Sequence, residues 1–239
     1  GKSYELIDME KQQGKHPRIG AQDTIPVFPL RNISLEECAA LAEEIGSEVW
    51  ERYKVPVYFS GENARTPERK ELSYIRKGQY EGLKEVAHLP ERAPDLGPAK
   101  LHPTAGATIV SAAKANLVAV NMILNTQDLE IAKSIAKMVR GPSGGFSTIR
   151  AVAFKPDGYD YTAVSMNMFD TANTPIYRVF QLVDNEAKRF GLTIVGTQIC
   201  GTLHQSDLID SAAYFLRVVD FKENQILENS ILALDEEAE

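Results

Sequence analysis

Residues 149–168 read Ile149-Arg150-Ala151-Val152-Ala153-Phe154-Lys155-Pro156-Asp157-Gly158-Tyr159-Asp160-Tyr161-Thr162-Ala163-Val164-Ser165-Met166-Asn167-Met168. Residues 149–154 and 161–168 read as strands, and Pro156-Asp157-Gly158 between them is a turn signal, so the stretch predicts a β-hairpin. Val164, Met166 and Met168 alternate with Ser165 and Asn167. That period of two gives the second strand one buried and one polar face.

Working outward, residues 128–140 place Leu129, Ile131, Ala132, Ile135, Ala136 and Val139 on one helical face. Before them, 117–124 is apolar enough for a buried strand. Gly141-Pro142-Ser143-Gly144-Gly145 ends the helix. This glycine-rich turn either passes close to a ligand or simply stops the helix, and without a lysine-serine ending it is not a phosphate loop. Beyond the hairpin, Pro175 suits the first turn of a helix that runs to Phe190 and stops at Gly191. Residues 192–199 form a further strand. The order is β-α-β-β-α-β, the ferredoxin-like split βαβ unit, in an α+β chain. Helical segments at 206–219 and 224–234 follow, then an acidic tail, 235–239, that frays.

The first half is less regular. Residues 3–13 read as the last part of a helix, with Tyr4, Leu6, Ile7 and Met9 as its apolar positions. A folded protein that begins inside a helix is odd, so a natural chain that starts earlier is expected. Residues 24–30 form a strand that Pro26 and Pro29 consign to an edge. Ser34 and Glu37 have capping-box spacing ahead of a helix to about Tyr53. Its apolar face is Leu35, Cys38, Ala39, Ala42, Ile45, Val49 and Trp50, and Trp50 belongs to the core. A short strand spans 55–59. Residues 63–88 are charged, loosely helical and mostly solvated, with Arg65 and Arg69 either facing an anionic ligand or serving no special role.

Two loops concentrate the polar chemistry. Gly14-Lys15-His16-Pro17-Arg18-Ile19-Gly20-Ala21-Gln22-Asp23 packs a titratable ring, cations, a carboxylate and glycines just before a buried strand. Loops anchored on strands are where chemistry is usually placed, yet a surface loop with one ordinary histidine fits the same letters. Gly97-Pro98-Ala99-Lys100-Leu101-His102-Pro103-Thr104-Ala105-Gly106 closes a long irregular run that begins at Leu89. With apolar surface, one cation and exposed amides it suits a flat heteroaromatic ligand carrying acids, but the residues by themselves favour an ordinary linker.

The bulk composition narrows the classes. The 239 residues are 44% hydrophobic and 25% charged, which fits a soluble globular chain. A net charge of −7 without a basic face argues against nucleic-acid binding. Cys38 and Cys200 form no ligand-spaced pair, which argues against a disulfide framework or a metal site. No apolar stretch approaches a membrane span and no signal peptide is visible. The expected location is the cytoplasm.

Several stretches together resemble the formiminotransferase domain family: Leu6-Ile7-Asp8-Met9, the Gly14–Asp23 loop, Ala93-Pro94-Asp95-Leu96-Gly97-Pro98, His102-Pro103-Thr104-Ala105-Gly106, Val164-Ser165-Met166-Asn167-Met168 and Val195-Gly196-Thr197. The resemblance implies a transferase that moves a formimino group between tetrahydrofolate N5 and the amino nitrogen of glutamate, in histidine breakdown. It implies two ferredoxin-like halves, residues 1–115 and 116–239, with folate in the groove between them. The first half would then lack its opening β-α-β-β elements. The family's catalytic histidine maps onto His16, a ring suited to take a proton from the attacking amine near neutrality. Its folate-contacting loop maps onto Gly97 to Gly106. Arg18 is either a partner for a substrate carboxylate or one half of a salt bridge to Asp23. His102 is a loop and binding residue, while His88 and His204 are incidental. The implied partners are folate and glutamate or formiminoglutamate, with no metal, no nucleic acid and no membrane, and a homodimer for which no sequence patch speaks.

Departures from the family pattern keep alternatives open. Ser111-Ala112-Ala113 stands where relatives often carry Gly-Ala-Arg, so a cation is missing there. Residues 169–174 and 200–204 also differ. A folate-binding relative without transferase activity, or a transferase with a 5-formyl folate donor, would accommodate these changes.

Overall fold

A computed structural model describes residues 1–14, 17–114, 117–156 and 158–236. The chain divides into two compact units, Gly1–Ala115 and Asn116–Glu239. One carries a parallel sheet and the other an antiparallel one, a mixed α and β architecture of the α+β kind. No helix among the described residues is long and apolar enough to cross a membrane.

The first unit runs α1 (Lys2–Leu6), β1 (Thr24–Val27), α2 (Leu35–Tyr53), β2 (Val57–Gly61), a 3-10 turn (Pro67–Lys70), α3 (Leu72–Ile75), α4 (Gln79–Val86) and β3 (Thr108–Ala112). The last strand lies in the middle. Sheet order is β1-β3-β2, with both neighbours parallel to β3. The sequence pattern predicts no strand there, because the punctuation of the long loop draws attention to Gly106. Yet Thr108-Ile109-Val110 is a β-branched run buried on both faces, as a central parallel strand should be. β1 is an edge strand, which accommodates Pro26 and its missing N–H.

Alternate residues of this sheet feed two cores. Val57, Phe59, Val110 and Ala112 pack with Cys38, Ala42 and Val49 of α2. Tyr58 and Ile109 pack with Ile75, Tyr80, Leu83 and Met9 on the other side. The 63–88 segment, predicted mostly solvated, therefore supplies half of the second core. α2 begins with the capping box that its sequence predicts: Ser34 Oγ accepts from Glu37 N at 3.1 Å, and Glu37 Oε2 accepts from Ser34 N at 2.7 Å. Gly46 lets α2 approach β2, since a Cβ there would lie 2.6 Å from the Phe59 ring. α1 ends at Leu6 rather than continuing to residue 13. Asp8 Oδ1 accepts from Glu10 N at 3.1 Å, a local turn that competes with the helix.

Buried polar groups tie the long loop to this frame. Arg69 and Asp95 pair at 2.5 Å with side chains only 7% and 8% exposed. Asp95 also accepts from Phe59 N at 2.7 Å, and Arg69 donates to the Ala93 carbonyl at 2.7 Å. The anionic-ligand option for Arg69 is thereby corrected: its charge is committed to Asp95. Asn63 joins three elements, donating to Ala39 O at 2.9 Å and Glu43 Oε1 at 3.0 Å while accepting from Ala112 N at 2.8 Å.

The second unit runs β4 (Val118–Leu124), α5 (Leu129–Val139), β5 (Ile149–Phe154), β6 (Thr162–Met168), α6 (Ile176–Arg189), β7 (Ile194–Cys200), α7 (Gln205–Leu216) and α8 (Leu227–Glu236). Its sheet has the order β5-β6-β4-β7, with antiparallel pairing throughout. The predicted hairpin forms, pairing Ile149 with Met168 and Phe154 with Ala163; of its turn signal, Asp157 lies outside the described residues. Val120, Met122, Val164, Met166 and Met168 face a core completed by Ile135, Val139, Val179 and Val183. Asp128 caps α5, its Oδ1 accepting from Glu130 N at 2.9 Å.

Removing one partner of a buried ion pair leaves the other charged and dry, at about 3–5 kcal/mol. Asp95→Asn and Arg69→Met should each lower unfolding free energy by about that much, whereas Lys133→Ala, in an exposed pair with Glu130, should change it by about 1 kcal/mol or less. Urea unfolding would read the difference.

Candidate active site

The two polar loops come together in the first unit through their backbones. Gly20 and Gly106 form an antiparallel bridge. On either side of it Ala21 N donates to Ala105 O at 2.9 Å, and Ala107 N donates to Ile19 O at 3.0 Å. Met9 N adds a bond to Thr104 O at 2.7 Å. Neither glycine position has room for a side chain. A Cβ on Gly20 would lie 1.9 Å from Ala107 O, and one on Gly106, at φ +72, would lie 2.2 Å from Ile19 O. Ile19 and Ala105 are fully buried beneath the junction.

Each loop is also braced within itself. Asp23 folds the first: Oδ1 accepts from Ile19 N at 2.6 Å, and Oδ2 pairs with Arg76. In the second, His102 N donates to Gly106 O at 2.8 Å, and the His102 ring caps the turn. Its Nδ1 accepts from Ala105 N at 3.0 Å and Thr104 N at 3.3 Å. A ring nitrogen that accepts carries no proton, so the neutral ring held this way is protonated on Nε2. Leu101 is buried, while Gly97, Pro98, Ala99, Lys100, Pro103 and Thr104 are exposed. Gly97 adopts φ +95 against Trp50. Lys100 makes no ion pair with a described carboxylate.

His16, the sequence-predicted base, and Lys15 lie outside the described residues. Arg18 nearby does not form the salt bridge to Asp23 considered from sequence. Asp23 belongs to Arg76, and Arg18 forms a two-pronged pair with Glu81 at 2.8 and 2.9 Å. Its remaining donors meet Gln12 Oε1 at 3.0 Å, Gln12 O at 3.0 Å and Gln79 Oε1 at 3.2 Å. The hydrogen bonds from Arg18 hold the Glu81 carboxyl below its ordinary value. Beside them Tyr80 donates to Glu10 at 2.5 Å, and Lys84 pairs with the same carboxylate. Burial, then the hydrogen bond to Glu10, pushes the Tyr80 hydroxyl up, while Lys84 and then Tyr80 pull Glu10 down. Glu81 and Arg76 are support residues that no local spacing could reveal, lying 63 positions from Arg18 and 53 from Asp23.

His88 is exposed at the end of the α4 region, and His204 precedes α7 in the second unit, its N donating to Asp207 Oδ2 at 3.1 Å. Ala113, at the end of β3, donates its N–H to Val27 O at 2.9 Å. Among the described residues no group of three or more His, Cys, Asp or Glu side chains is placed to hold a metal ion.

The formiminotransferase domain, N-terminal subdomain, matches residues 1–113, and the formiminotransferase domain matches residues 117–235. Glutamate formimidoyltransferase of Thermoplasma acidophilum is 40% identical over 229 residues, 95% of this chain and 75% of that protein. The glutamate formimidoyltransferase of Streptococcus pyogenes serotype M1 is 38% identical over 229 residues, 95% of this chain and 76% of its own. Formimidoyltransferase-cyclodeaminase of Mus musculus is 37% identical over 216 residues, covering 88% of this chain and 40% of that protein.

Two outcomes follow from the junction. Gly20→Ala and Gly106→Ala should each lower stability by about 1–3 kcal/mol or more through backbone overlap. Gly82→Ala, whose Cβ meets nothing within 4 Å in α4, should be neutral or stabilising. The acid response has a defined sign. Glu10 sits below its ordinary value of 4.5, so its contribution is complete above that value and is lost as pH falls through the lower folded one. Amide protection around residues 9–12 should weaken in that acid range, and Glu10→Gln should flatten the step.

Proposed function

This chain belongs to the formiminotransferase domain family, and on that footing we propose that it moves a formimino group between N-formimino-L-glutamate and tetrahydrofolate, a one-carbon step of histidine degradation. The single observation that best supports this reading is the Gly20–Gly106 junction. It sets the loop that bears His16 against the loop assigned to folate, through backbone bonds that a side chain at either glycine would break. Catalytic groups held on a rigid, over-determined backbone need little reorganisation during reaction.

In the proposed chemistry, a nitrogen of the acceptor attacks the formimino carbon and a new C–N bond forms. The attacking nitrogen gives its proton to His16, the old C–N bond breaks, and the departing nitrogen takes the proton back. A positioned base of this kind contributes about 10²–10⁴-fold in rate. Gly97 to Gly106 would hold the folate, with Pro98, Ala99 and Leu101 offering apolar surface and Lys100 a cation without a described carboxylate partner. His102, with Nδ1 already engaged by two amides, shapes that loop. We further read the second unit as ferredoxin-like, which its β-α-β-β-α-β order and antiparallel sheet support. A cytoplasmic location and a homodimer belong to the same reading.

One observation favours a second reading. Ala113 stands where family members often carry arginine, as in a relative that binds folate without transferring the group, or that uses a 5-formyl donor. The deciding experiment is tetrahydrofolate release from 5-formiminotetrahydrofolate, with and without glutamate, beside His16→Ala. The expected outcome is glutamate-dependent release that drops by about 10²–10⁴-fold in the variant. Release that survives the substitution removes His16 as the base. A folded protein that binds folinate and releases nothing belongs to the second reading.

A further inference from the structure

We propose that Arg18 and Glu81 form a clasp that fastens Gln12 and Arg18, which flank the segment bearing His16, to α4, and that Arg18 takes no part in recognising a substrate carboxylate. The kinetic side of this inference rests on the transferase reading above; the structural side does not.

A guanidinium has five N–H donors in a fixed plane. All five are committed within the described residues: Nε to Gln12 Oε1, Nη1 to Gln79 Oε1 and Glu81 Oε2, Nη2 to Gln12 O and Glu81 Oε1. A substrate carboxylate would have to displace Glu81, exchanging one charge-assisted pair for another with no new donor gained. The arginine is therefore a poor receptor for glutamate. It is well made as a tether. Its bonds to Gln12 close the base of residues 12–18, the segment that bears His16. Its bonds to Gln79 and Glu81 fasten that base to the first turn of α4, a helix seated in the core by Tyr80 and Leu83. An acidic residue in a first helical turn is also favoured by the helix dipole. The side chain of Arg18 is 13% exposed and that of Glu81 is 64% exposed, so the arginine is the enclosed half and Glu81 can be altered without opening the core.

The test uses the full chain with Glu81→Gln, Arg18→Lys and the double variant. Three quantities are read: formimino transfer with glutamate varied, thermal midpoint, and amide exchange over residues 10–20. Loss of positioning by a fraction of an ångström to one ångström lowers turnover by up to about 10²-fold. The expected result is that kcat falls about 10- to 100-fold in each single variant while KM for glutamate stays within about twofold. The double variant should lose no more than the worse single, because both residues act through one contact. Exchange over 10–20 should quicken in all three, with little change in midpoint for Glu81→Gln. A raised glutamate KM with kcat intact would make Arg18 a substrate ligand and overturn the proposal. Unchanged exchange overturns it whatever the kinetics. Should the wild type transfer no formimino group, the transferase reading fails, and exchange alone still decides the clasp.

Discussion

Everything about the candidate site depends on two backbones lying closer than side chains permit. Ile19 to Ala21 and Ala105 to Ala107 are almost ninety positions apart, yet they bond to each other on both sides of the Gly20–Gly106 bridge. With a carbonyl oxygen 1.9 Å from where a Cβ would sit on Gly20, only hydrogen fits. The approach has consequences in both directions along the chain. Asp23 can reach back to Ile19 N only because the loop is folded tightly at that point. β3 can begin directly after the second loop, in register with β1, only because Ala107 has already been delivered beside Ile19. Sheet and site are thus one construction: the central strand is entered from one loop, the edge strand from the other, and a single contact sets both.

Irregular chain needs partners for its polar backbone, since an unpaired buried N–H or C=O is unfavourable by about the worth of a hydrogen bond or more. Between α4 and β3 the run is long, and side chains do the pairing. Arg92 donates to the carbonyls of Tyr74, Ile75 and Lys77, finishing α3 and the turn after it. Tyr58 donates its hydroxyl to Arg92 O at 2.8 Å, and burial pushes that hydroxyl's pKa up, keeping it a donor. Asp95 and Arg69 complete the set. These groups explain why a segment rich in proline and glycine is ordered without being helix or strand. They also account for three cations of this unit, since Arg69, Arg76 and Arg92 are each held by backbone carbonyls or a carboxylate.

The second unit was legible because its periodicities are local. Alternation over 162–168, a turn signal before it and helical stripes on either side are each readable within about a dozen residues, and the strand order then follows from connectivity. The first unit was legible in part. The capping box of Ser34 and Glu37 and the edge character that Pro26 demands are local, and both occur. β3 leaves little trace in the sequence, because Ile109-Val110 flanked by Thr108 and Ser111-Ala112 is a weak signal beside a long loop. The short helices of 67–88 read as surface because their charges outnumber their apolar positions, yet Ile75, Tyr80, Leu83 and Ala87 all turn inward. Arg18 and Asp23 show the limit most clearly. Five positions apart, they look like a pair, and each instead takes a partner more than fifty positions away. Ion pairing across a tertiary fold leaves no periodic trace.

Hydrogen bonding within a turn bears on the histidines. A general base must present an unprotonated lone pair to the proton it removes. His102 lies in a matching motif and beside the junction, yet its one accepting nitrogen is already shared by the amides of Thr104 and Ala105. Using that lone pair for catalysis would leave the amides of Thr104 and Ala105 without this acceptor. What the ring can offer outward in this tautomer is an N–H, a donor. On the second loop, then, the backbone has claimed Nδ1, and Nε2 is the ring nitrogen left to face outward.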